Sequence, residues 1–95
     1  MIQPTVGRVV WYWPEGPKVG ENPWAAFVTH VHGDRMINVA GFTDVGTPFF
    51  RNSVSLLQDD DKATGGFCAS WMPYQKGQAA KTEALEKELS KEDAR

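Results

Sequence analysis

Arg8, Trp11, Trp13, Asn38, Arg51 and Ser53 are the residues whose types best suit a small-molecule site. The indole of Trp11 or Trp13 can stack a base, Arg8 and Arg51 can hold phosphate through paired N–H donors, and Asn38 and Ser53 can fix a ribose or base edge. The formal charge of -2 favours a nucleotide-sized ligand over a polymer, because bulk nucleic-acid binding needs clustered Lys and Arg. Many of the aromatics, among them Trp24, Phe42, Phe49, Phe50, Phe67, Trp71 and Tyr74, are also needed to fill the core of so short a chain. For any single ring the core is the commoner fate.

Other chemistry is less supported. His30 and His32 stand at i,i+2 on one strand face and could present two imidazoles to a metal, but third ligands exist by type only: Cys68, Asp34 and the run Asp59-Asp60-Asp61. That acidic run lacks the alternating ligands and glycine of a calcium loop and reads as a solvated turn. Cys68 has no local feature that would activate it as a nucleophile. With no glycine-rich phosphate loop, serine elbow or paired-carboxylate signature, the chain reads as a non-catalytic protein without a metal or cofactor.

The elements that must position these groups are short. The β-branched and aromatic residues predict a strand over 5–13, ended by Pro14-Glu15-Gly16-Pro17. Within it Trp11 and Trp13 share one face, while Tyr12 shares the other with Val10 and Val6, which is expected to be the core face. A second strand over 24–31 meets a third over 36–42 across His32-Gly33-Asp34-Arg35, a good hairpin signal. A fourth over 49–57 and a short fifth over 67–71 complete the set.

Five such strands in a single domain of 95 residues predict a small SH3-like barrel, since closure hides sheet edges. The barrel domain is expected over 1–74 and a charged helix or tail over 75–95. The helix reads best over 78–92, with a thin apolar stripe of Ala80, Ala84, Leu85 and Leu89 that suits an appendage or a self-association handle better than a core helix. Its pair Glu83 and Lys87 is attractive and its pair Lys87 and Lys91 repulsive. The single cysteine suits a reducing compartment, and no secretory leader or membrane span is expected.

The segments Thr5-Val6-Gly7-Arg8-Val9-Val10, Ile37-Asn38-Val39-Ala40-Gly41-Phe42 with Gly46-Thr47-Pro48-Phe49, and Trp71-Met72-Pro73-Tyr74-Gln75 together resemble a family of small tailed-bacteriophage proteins. The resemblance covers residues 5–80. Members often carry a His-Tyr pair where this chain has Trp11-Tyr12. It implies a phage-encoded accessory protein in the host bacterial cytoplasm, with an SH3-like core and no catalytic residues to carry over.

The leading expectation is a phage-encoded sponge: a binding protein that sequesters a cyclic or ADP-ribose-type nucleotide signal and so counters host defence, working as a homo-oligomer where a pocket is completed between subunits. The alternative is an SH3-like interaction module that docks on a host or phage protein through exposed aromatics. Non-specific binding of single strands is disfavoured by the net charge.

Overall fold

The computed structural model describes the chain except residues 19, 60, 64–65 and 94–95, with side chains undescribed at 80 and 86–93. Five strands, β1 (Val9–Trp13), β2 (Trp24–Gly33), β3 (Met36–Phe42), β4 (Pro48–Leu57) and β5 (Cys68–Ser70), form a closed barrel, followed by helix α1 (Pro73–Asp93). The chain is mainly β, as expected of a small SH3-like barrel.

Strands β1 to β4 meander antiparallel, and β5 closes the barrel by pairing antiparallel with β1 and parallel with β4. The parallel seam is short, with Leu56 opposite Ala69 and Leu57 opposite Ser70. Alternation sends Val10, Tyr12, Ala26, Val28, Ile37, Val39, Val54, Leu56 and Ala69 inward, where they form the buried core with Ile2 and Trp71.

Gly41 lets β2 and β3 approach. A Cβ there would meet the backbone oxygen of Ala25 and come within 2.7 Å of Ala26 Cα.

The largest departures from the sequence reading are two boundaries, since those of β2, β4 and β5 shift by only one or two residues. β1 begins at Val9 because residues 5–8 form a turn: Arg8 N–H donates to the Thr5 carbonyl at 3.1 Å, and Gly7 sits at φ 91°. The turn breaks the parity that was to carry Val6 inward, and Val6 is 69% exposed. Val10 and Tyr12 do form the core face.

Helix α1 begins at Pro73, earlier than expected. Proline suits the first helical position, where no N–H partner is lost. Gln75 then reaches back so that its Oε1 accepts the Met72 N–H at 2.8 Å, which is half of a capping box.

Gln75 Nε2 also donates to the Val9 carbonyl at 2.8 Å and Ala79 packs on the core, tying the first turns to the barrel. Tyr74 and Leu85 remain exposed. The expected stripe residues Ala80 and Leu89, and Lys87 and Lys91 of the expected charged pairs, lie outside the described side chains.

Candidate functional site

The six residues singled out for ligand binding stand in four places. Arg8 leaves the turn before β1 and lays its guanidinium over the Trp71 ring, 5.3 Å from the centroid. With Tyr74, Gln78, Ala79, Thr82 and Glu83 it lines a shallow groove of about 410 Å³ between barrel and helix.

Trp11 and Trp13 lie on the outer face of β1, edge to face with centroids 6.0 Å apart. The Trp13 indole N–H donates to Ser70 Oγ on β5 at 2.9 Å. The two indoles thus meet each other and the neighbouring strand, and both are half-buried.

Asn38 and Ser53 are brought together. The ladder between β3 and β4 shifts register between Ile37 and Val39, and Asn38 Oδ1 accepts the Ser53 N–H there at 2.8 Å. Ser53 has φ 53°, so the side chain of Asn38 stabilises a bulge that the strand bond alone would not. The same oxygen lies 2.9 Å from His32 Nε2.

Arg51 occupies the fourth place. By register it faces inward opposite Val39, and it reaches over the Phe67 ring at 4.7 Å while its Nε donates to Tyr12 Oη at 3.3 Å. Tyr12 also contacts Phe49 and Trp24, with ring centroids 4.9 and 5.9 Å away. This end of the barrel is closed by aromatic surface with one cation above it, and the opposite end by Trp71, Ile2 and Gln58.

One apolar surface feature does not follow from the residues grouped above. Ladder register aligns Val9, Phe27, Ala40 and Phe50 as one cross-strand row on the outside of β1 to β4, and Trp11, Ala25, Phe42 and Pro48 as the next. Phe27, Phe42 and Phe50 are 42%, 52% and 77% exposed. None of these eight residues is charged, and the small Ala25 and Ala40 stand in register between larger side chains. Alternation within each strand puts these residues on the outer face, but their alignment into rows depends on register shifts in both hairpins that no sequence signal marks.

Among the described residues no cluster of three or more His, Cys, Asp or Glu side chains has the arrangement of a metal site, and no helix is long and apolar enough to cross a membrane. Cys68 is buried, and burial pushes its thiol up, away from the thiolate that nucleophilic chemistry needs. No family model, curated protein or solved structure matches the chain.

Proposed function

We propose that the chain is a non-catalytic binding module whose aromatic outer face docks on protein, with the same face of a second copy as its first partner. The two cross-strand rows carry this reading. At about 200 Å² per aromatic side chain, the exposed parts of Phe27, Phe42 and Phe50 alone offer roughly 350 Å², close to half of the about 800 Å² that each partner contributes to a standard interface. An uncharged surface that alternates large and small side chains suits packing on itself under two-fold symmetry, each phenylalanine set against an alanine of the other copy. The resemblance to phage proteins adds that a further partner would be a host or phage protein in the bacterial cytoplasm.

Light scattering across about 1 to 100 μM protein tests the idea. Wild type should move from monomer to dimer, and Phe50→Asp should stay monomeric with an unchanged circular dichroism spectrum. A wild type that remains monomeric throughout sinks it.

A second reading, sequestration of a cyclic or ADP-ribose-type nucleotide, is supported by the groove beside Arg8. There an exposed Tyr74 ring could stack a base, with a guanidinium nearby for phosphate and Gln78 and Thr82 for hydrogen bonds. Its volume lies within the range of small-molecule pockets. Titration with a panel of such nucleotides, followed by recovery of intact ligand on heating, separates the readings. Binding no tighter than about 10 μM counts against sequestration.

A further inference from the structure

We propose that His30 and His32 form a two-imidazole site for a divalent transition metal of the class that prefers nitrogen ligands, Zn²⁺, Ni²⁺ or Cu²⁺. The register shift in β2 between Val28 and His30 places His30 opposite Asn38, on the outer side, with His32 two residues on. The two rings are edge to face with centroids 4.7 Å apart. Imidazoles bound to one metal at about 2.0–2.1 Å with near-tetrahedral angles have ring centres about 5 Å apart. The pair already stands at nearly that separation, and both residues are exposed.

Asn38 supplies the second observation. Its Oδ1 accepts the Ser53 backbone N–H, which identifies that atom as the oxygen and leaves it only an acceptor. His32 Nε2, 2.9 Å away, must therefore carry the proton and donate, so the lone pair of His32 sits on Nδ1. Metal-bound histidines characteristically donate their other ring N–H to such an acceptor, which fixes both tautomer and ring orientation. The bulge between β3 and β4 thus holds His32 in the form a metal needs. No third protein ligand stands beside the pair among the described residues, so the remaining coordination positions are open to water or an exogenous ligand, as in open zinc sites.

Calorimetric titration of the untagged chain with Zn²⁺ tests the site, with His30→Ala, His32→Ala and the double variant alongside. Wild type should bind one equivalent, each single variant roughly tenfold or more weaker, and Ni²⁺ and Cu²⁺ should compete in the order of their general affinities. Wild-type binding no tighter than that of the double variant overturns the proposal. A ¹⁵N spectrum of the metal-free imidazoles is a separate check. His32 should show the Nε2–H tautomer, and an Nδ1–H tautomer refutes the positioning role of Asn38.

Discussion

Trp71 and Gln58 share a hydrogen bond inside the barrel, with the indole N–H donating to Gln58 Oε1 at 3.0 Å. The same oxygen accepts the Ile2 N–H at 3.2 Å, while Nε2 donates to the carbonyls of Ile2 and Asp34 at 2.7 and 2.9 Å. Gln58 is 1% exposed, and every hydrogen-bonding position of its amide is used. It joins the N-terminal segment, the turn after β2 and the residue after β5 at one end of the barrel.

Gln58→Leu keeps most of the volume but leaves the Ile2 and Trp71 donors unpartnered. At about 1–3 kcal/mol for each buried group left unsatisfied, the loss should reach about 3 kcal/mol, a large part of the stability of so small a domain. Urea unfolding followed by tryptophan fluorescence would measure it, and an unchanged midpoint would contradict the network.

Gly41→Ala should cost about 3 kcal/mol or more, because the new methyl meets β2 backbone that cannot step aside. Gly33→Ala is the internal control. Nothing lies within 4 Å of a Cβ there, so thermal unfolding should place it within about 0.5 kcal/mol of wild type.

Ser53 tests the bulge. Its left-handed backbone costs an L-residue roughly 1 kcal/mol, so Ser53→Gly should match or exceed wild-type stability, while the β-branched Ser53→Val should lose at least about 1 kcal/mol. Removing the acceptor with Asn38→Ala should cost about 1 kcal/mol. Chemical denaturation of the three variants gives the order, and Ser53→Val equal to Ser53→Gly would refute it.

Acid should expose Asp61. The Gln58 backbone N–H and the Arg35 guanidinium both bond its Oδ2, at 2.9 and 2.8 Å, and hold its carboxyl below the ordinary value of 3.8. A depressed native pKa contributes stability that is present above 3.8 and is lost as pH falls through the lower folded value. Asp61→Asn should therefore be less stable than wild type at neutral pH, with the gap closing as pH drops below about 4. A gap that stays constant would show that the charge is not responsible.

Much of the architecture is legible in the residues themselves. Gly33-Asp34 between two alternating runs marks the hairpin, and β3 runs over Met36–Phe42 as its pattern indicates. Val6 is misread because a turn centred on Gly7 interrupts the alternation. Gln58 looks like the first residue of an acidic loop, since its partners come from distant parts of the chain. Chemical type groups the site residues, but position on a closed surface depends on register. Asn38 and Ser53 meet at a bulge, while Arg8 and Arg51 are held over rings in different places.

The closing strand also sets a timetable. Hairpins β1 to β4 join neighbours in sequence, whereas the bond between Trp13 and Ser70 links residues 57 positions apart. During synthesis, β1 keeps an open edge until β5 leaves the ribosome, with Trp11 and Trp13 beside it and the parallel seam still unmade. Sealing the barrel is then the slow, non-local event in folding. The nascent chain is most prone to sticking in the interval before residues 68–70 arrive.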